Sequence, residues 1–312
     1  MSCDMNSDKV LDTVKSKKIV IAHRGASGYL PEHTLESKIL AYGMNADYLE
    51  QDLVLSKDDI PIVIHDIYLD EVTNVANIFS ERKRENGRFY VIDFTFDELK
   101  KLSVRERFDH KTGKQIYPDR YIGNREFKLH SLQEEIELIQ DLNKTTGKNI
   151  GIYPEIKKPK FHLENGKDIS KIVLKILSDH GYSTKKDKCY LQCFEAKELE
   201  RIRKELKSEL LLVQLIESPQ ETLQLKHFSS YADAIGPWYR LLLSETVDNE
   251  FTFTSLVKEA HDLGMVVHPY TFRADVKSEF DSFGQMIQVL LYEANIDGGF
   301  TDFPDLMKKE IK

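Results

Sequence analysis

The chain has 312 residues, 41% hydrophobic and 31% charged, which supplies a sizeable core and a charged surface and excludes a largely disordered protein. A formal net charge of -8 argues against a broad nucleic-acid surface, because phosphate backbones are bound through clustered positive charge. No run approaches the roughly 18 consecutive apolar residues that span a bilayer, and the opening MSCDMNSDKV lacks the apolar stretch of a signal peptide, so the chain as written is expected to be soluble.

Residues 1–16 are expected to be a flexible segment. Its Cys3 fits either an unremarkable thiol or the lipid-bearing first residue of a processed lipoprotein. From residue 17 onward, short β-branched or apolar runs alternate with segments of helical period, the mark of βα units around a parallel sheet. The first strand, KIVIAH, ends with His23 and Arg24 entering a turn that holds Gly25 and Gly28. A helix is predicted over 35–44. Taken alone, His23 and Arg24 fit equally well a histidine bonded to a carbonyl and an arginine paired nearby.

In the second strand, ADYLEQDLV, alternation puts Glu50 and Asp52 on one side, and apolar neighbours argue that both are buried. Two carboxylates so close resist joint ionisation unless a cation or basic groups lie between them. The linker LSKDDIP to the next run, IVIHD, is far too short for a parallel crossover, so the two runs should form an antiparallel hairpin. A turn centred on Asp58 and Asp59 would set Asp52 opposite His65. About 60 residues then precede the helix predicted over 132–142, and so long an excursion reads as an inserted lobe or lid over about 67–130.

The strand IGIYPEI brings Glu155, with Lys157 two residues on and facing the same way. Glu155 and Lys157 alone could be a salt bridge between strands. With Glu50 and Asp52 nearby, three hard oxygen donors suit Mg²⁺ or Ca²⁺, and there is no histidine and cysteine cluster at zinc spacing. Further strands are predicted at KCYLQCF, LLLVQLI, ADAIGP, MVVHPYT and DGGFT, with helices over 169–180, 196–207, 252–263 and 280–293. Cys189 and Cys193 lie about 13 Å apart along one strand at ~3.3 Å per residue and cannot pair with each other. Nine strands, one spent on the hairpin, leave eight for a single α/β domain over 17–312: a (β/α)8 TIM barrel with a hairpin extension after strand 2 and an inserted lobe.

The blocks HRGASGYLPEHTLES, YLEQDLVLSKDDIPIVIHD and YPEIK closely resemble the glycerophosphodiester phosphodiesterase family, and DGGFTDFPD resembles its closing strand. The resemblance covers nearly the whole chain. The spacing and the long insertion look like the larger bacterial members, periplasmic or lipid-anchored, which act on deacylated phospholipids. It implies His23 and His65 as an acid-base pair, Arg24 and Lys157 as phosphate contacts, and Glu50, Asp52 and Glu155 as ligands of one divalent cation, Ca²⁺ ahead of Mg²⁺. Phe194 and Trp238 match positions that line the family's pocket, His33 suits a supporting hydrogen bond, and His268 and Tyr270 share a face directed at the pocket. The implied partner is a small glycerophosphodiester such as glycerophosphocholine or glycerophosphoethanolamine. Membrane anchoring through a lipidated Cys3 and host-protein binding stay open. Competing readings are a sphingomyelinase D-like phospholipase and a surface binding protein on the same barrel.

Overall fold

The runs of β-branched residues form strands where they can be covered on both faces, as a parallel sheet requires. The computed structural model describes residues 17–247 and 250–311; Cys3 and the rest of segment 1–16 lie outside the described residues. Strands among these are β1 (Ile19–Ala22), β2 (Tyr48–Leu55), β3 (Pro61–Val63), β4 (Gly151–Ile156), β5 (Tyr190–Cys193), β6 (Leu211–Ile216), β7 (Ala234–Pro237), β8 (Leu243–Val247), β9 (Glu250–Phe253), β10 (Val266–Val267) and β11 (Gly298–Thr301). Eight of them run parallel in the order β10-β7-β6-β5-β4-β2-β1-β11. Between β10 and β11 the ring is closed by single backbone bonds, Asp297 N to Val267 O at 3.0 Å, Phe300 N to Pro269 O at 3.0 Å and Phe272 N to Phe300 O at 2.8 Å. The chain therefore forms the expected (β/α)8 barrel. Strand β10 is short because Pro269 has no N–H to offer a ladder.

The expected hairpin exists, but its register is one residue out. Leu53 pairs with Val63 and Leu55 with Pro61, so Asp52 stands opposite Ile64, whose N–H donates to its carbonyl at 2.8 Å. The reason lies in the turn: Ser56 pairs with Ile60 across three loop residues, the last of which, Asp59, sits at φ 64°, the left-handed residue that closes a three-residue hairpin loop. His65 thus falls beyond the end of β3.

A second correction concerns 252–263. Thr252 and Phe253 belong to β9, paired antiparallel with β8, and the helix runs only over Leu256–Asp262. The alternation in FTFT obeys a period of two, and Phe251 stacks on Phe280 with centroids 4.8 Å apart. The helix predicted over 132–142 extends over Leu132–Thr146, opened by a Ser131/Glu134 capping box and closed at Gly147, φ 70°. The segment 280–293 is α-helical over Phe283–Gln288 and continues as a π-helical turn over Val289–Glu293.

Among the described residues, three apolar clusters hold the fold together. One lies between the strands and the surrounding helices. A smaller one, including Tyr48, Tyr153 and Phe300, plugs the barrel interior. The third belongs to the insertion, where Leu69, Phe89, Phe94, Leu102 and Phe127 pack on Val54, Ile62 and Ile64 of the hairpin. Phe94 is fully buried there, and truncating such a ring costs about 3–5 kcal/mol. No helix among the described residues is long and apolar enough to cross a membrane.

Candidate active site

The first strand delivers its charged pair by register. His23 continues β1, its N–H bonded to Thr301 O at 2.9 Å, which carries the imidazole to the C-terminal mouth where barrels of this type keep their chemistry. The chain then turns sharply through Arg24 at φ 59° and Gly25 at φ 91°. A Cβ on Gly25 would lie 2.4 Å from Ser37 Oγ, so only glycine fits this turn. Arg24 N donates to Glu50 Oε2 at 2.8 Å, tying the turn to β2.

His23 Nδ1 lies 2.5 Å from Asp302 Oδ1. Burial alone would push the Asp302 carboxyl up, but Arg273, His23 and Arg120 together hold it well below the usual carboxylate range. An ionised carboxylate only accepts, so Nδ1 carries the hydrogen and Nε2 is presented to the site, 4.0 Å from Glu50 Oε2. Burial outweighs the pull of Asp302 and lowers the His23 pKa to about 4, leaving a neutral ring with Nε2 able to accept a proton.

Adjacent parallel strands set the carboxylates side by side. Asp52 on β2 is the register partner of Glu155 on β4, and Glu155 is that of Gln192 on β5. Ligand oxygens of Glu50, Asp52 and Glu155 lie within 4.8 Å of one another, and all three residues are buried. Burial and the neighbouring Asp52 raise the Glu50 pKa well above normal. Burial also pushes Glu155 up, to about 8, with Lys157 opposing and Asp52 reinforcing the shift. Asp52 is the exception: burial would raise it, but Lys157 and His33 hold it well below the usual range. Its Oδ1 is nevertheless buried without a hydrogen-bond partner. Three buried hard donors, one of them unsatisfied, fit a divalent cation. Lys157 Nζ stands 2.8 Å from Glu155 and 3.9 Å from Asp52.

His65 enters from the hairpin side. Its Nδ1 lies 3.0 Å from Asp66 Oδ1, and Asp66 is held in its ionised form because His65 and Arg107 outweigh the effect of burial. The same logic leaves Nε2 for the cavity. Burial, Arg24 and Lys157 lower the His65 pKa to about 3. Arg24 in turn donates to Glu32 Oε2 at 2.9 Å, and Glu32 also receives Arg107.

These groups line one cavity of about 200 Å³, with His23, Arg24, Glu50, Asp52, His65, Glu155, Lys157, Phe194 and Trp238 all on its wall. The nine residues expected as catalytic, phosphate-binding, pocket-lining or metal-holding groups are therefore brought together. Tyr270 reaches the cavity too. His268 does not: two residues below, it is buried in the barrel interior, Nδ1 3.0 Å from the Tyr153 hydroxyl, because the shared face spans two heights of the barrel. His33 supports Asp52, Nε2 to Oδ2 at 2.7 Å.

A family model, the glycerophosphoryl diester phosphodiesterase family, matches residues 23–306. The chain belongs to this family. It is 46% identical to a glycerophosphodiester phosphodiesterase of Haemophilus influenzae over 97% of this chain and 92% of that one, and 36% identical to one of Treponema pallidum over 93% and 91%. Among solved structures, a putative family enzyme from Silicibacter pomeroyi matches with a TM-score of 0.72 at 20% identity, covering 95% of this chain and 93% of that one. A phosphodiesterase from Oleispira antarctica, solved with the product sn-glycerol-3-phosphate, matches with a TM-score of 0.65 at 21% identity, covering 94% and 96%. Relatives and fold agree with the site: the protein is a phosphodiesterase enzyme of the glycerophosphodiester class.

Sequence reasoning missed Glu32, Asp66, Arg107, Arg120, Arg273 and Asp302. Asp66 and Asp302 stood inside the quoted blocks IVIHD and DGGFTDFPD, and their place next to a histidine and just past a barrel strand was the available signal. The three arginines carried none, since each reaches the site from a loop whose path only the fold determines.

Proposed function

We propose that the protein hydrolyses glycerophosphodiesters, such as glycerophosphocholine and glycerophosphoethanolamine, to glycerol 3-phosphate and the free alcohol. Catalysis uses a divalent cation, Ca²⁺ ahead of Mg²⁺, held by Glu50, Asp52 and Glu155. One observation carries this reading: the buried His23 and the half-buried His65 line a single cavity with the carboxylate trio, each with Nδ1 on an ionised aspartate and Nε2 left for the reacting atoms.

When bound, the cation would neutralise charge on the phosphoryl oxygens. Arg24 and Lys157 add fixed positive charge on the same cavity wall, in a site where burial strengthens it. His23 Nε2 takes the proton of the nucleophile as its oxygen bonds to phosphorus; the nucleophile is water, or the substrate's own 2-hydroxyl, in which case water opens the resulting cyclic phosphate in a second step. The bond from phosphorus to the alcohol oxygen breaks, and His65 Nε2 gives that oxygen its proton. Burial, with Arg24 and Lys157, keeps His65 neutral. An anionic phosphodiester between them offsets both charges, so substrate binding favours the protonated imidazole that the acid role needs.

A cavity of about 200 Å³ suits a small water-soluble diester better than a two-chain lipid, which disfavours the sphingomyelinase D-like reading. The product bound in the Oleispira antarctica neighbour supports glycerol 3-phosphate as the released half. The test is glycerol 3-phosphate release from several glycerophosphodiesters after chelation and readdition of Ca²⁺ or Mg²⁺. Full release in excess chelator sinks the metal assignment, and choline release from sphingomyelin with none from glycerophosphocholine sinks the substrate class.

A further inference from the structure

The insertion sends two arginines into the barrel mouth, and each ends on the carboxylate that holds a histidine. Arg107 donates from Nη1 to Asp66 Oδ2 at 2.6 Å and to Glu71 Oε2 at 2.8 Å, while Nε and Nη2 grip Glu32 at 3.0 and 2.5 Å. Asp66 holds His65 Nδ1, and Glu32 holds Arg24. Arg120 donates to Asp302 Oδ2 at 2.6 Å and to Asp275 at 2.7 and 3.1 Å, and Asp302 holds His23 Nδ1. Both guanidinium groups are nearly buried, with side chains 10% and 4% exposed.

We propose that Arg107 and Arg120 are positioning residues, which makes the insertion the outer half of the acid-base apparatus. The physical reason is the planar fork of arginine: its donors bind two carboxylates in fixed relative directions, which a single ammonium group cannot do. Arg107 fixes the rotation of Asp66 and therefore the direction in which His65 points Nε2. Through Glu32 it also fixes Arg24, so the acid and a phosphate contact share one anchor. The His23 side is doubled, because Arg273 donates to Asp302 at 2.8 Å alongside Arg120. Asp66 lacks such a second arginine among the described residues, so His65 depends on the insertion more than His23 does.

This proposal rests on the acid-base reading of the two histidines, and its test separates the two. Arg107→Lys keeps the charge and removes the fork, which protects folding; Arg107→Gln and Asp66→Asn complete the set, with thermal unfolding run on each. On glycerophosphocholine, Arg107→Lys should lose about 10- to 100-fold in kcat, inside the range of acid-base contributions, with KM changed only a few-fold. The loss on a nitrophenyl diester should follow the ratio shown by Asp66→Asn, and the double variant Arg107→Gln, Asp66→Asn should be no slower than the worse single. Arg120→Gln should cost less than Arg107→Gln. An activity-independent readout is ¹⁵N NMR of the histidine rings, in which wild-type His65 shows one fixed tautomer protonated at Nδ1 and Arg107→Lys loses it. A fixed His65 tautomer in Arg107→Lys, or losses from Arg107 and Asp66 that simply multiply, overturns the proposal. If the wild type lacks activity on every diester, the functional reading fails while the NMR arm still decides the positioning role.

Discussion

Asp52 and Glu155 are register partners on neighbouring parallel strands, and Lys157 Nζ stands within 4 Å of both. Together with Glu50 they form a buried acidic trio whose repulsion the lysine relieves only in part. The metal-free protein should therefore carry strain at this point. Glu50→Gln removes a carboxyl that burial and Asp52 push well above its usual pKa. In chelator this variant should be at least as stable as the wild type. With cation at about 100 times Kd the wild type should gain about 2.7 kcal/mol, and the variant should gain less. Thermal unfolding with and without Ca²⁺ measures both, and an equal gain in the two proteins removes Glu50 from the ligand set.

The roles of the histidines separate by leaving group. Choline leaves as a poor alkoxide and needs a proton as its bond breaks, whereas nitrophenolate is stable as an anion. His65→Ala should lose about 100- to 10,000-fold on glycerophosphocholine and far less on a nitrophenyl analogue. His23→Ala should lose on both, since the nucleophile needs activation in either case. Rescue of His23→Ala by the better leaving group would reverse the assignment.

Asp302→Asn tests the tautomer argument. The amide can donate to Nδ1, which would turn the ring so that Nε2 carries the hydrogen and can no longer accept one. Loss of kcat by about 100- to 10,000-fold is expected, with Ca²⁺ affinity, measured by calorimetry, close to that of the wild type because Asp302 is not in the carboxylate trio. Normal kcat would mean that His23 needs no carboxylate to orient it.

His162 provides a pH prediction away from the site. Its ring is fully buried, neither nitrogen has a hydrogen-bond partner, and burial, reinforced by Lys167, lowers its pKa from 6.5 to about 4. The unfolded chain binds this proton more readily than the folded one. Its contribution to stability is therefore complete above pH 6.5 and is lost as pH falls toward 4. Between about pH 7.5 and about pH 5 the wild type should lose about 2 kcal/mol more than His162→Leu. Parallel denaturant curves for the two proteins would contradict it.

The sequence by itself determined the barrel, because the alternation of β-branched strands with helical periods follows from local spacing and burial. It also determined the inner ring of the site. Glu50 with Asp52, and Glu155 with Lys157, sit two residues apart on strands, and a period of two leaves no choice about a shared face. The hairpin register escaped it, since an aspartate taking a left-handed conformation at position 59 moved the pairing by one residue. Only the tertiary structure decided what surrounds the histidines. Asp302 reaches His23 across 279 positions and Arg107 reaches Glu32 across 75, and no local pattern encodes such distances. Those contacts exist because closing the barrel brings β11 beside β1, and because the insertion's own apolar core, packed on Val54, Ile62 and Ile64, points its arginines back into the mouth.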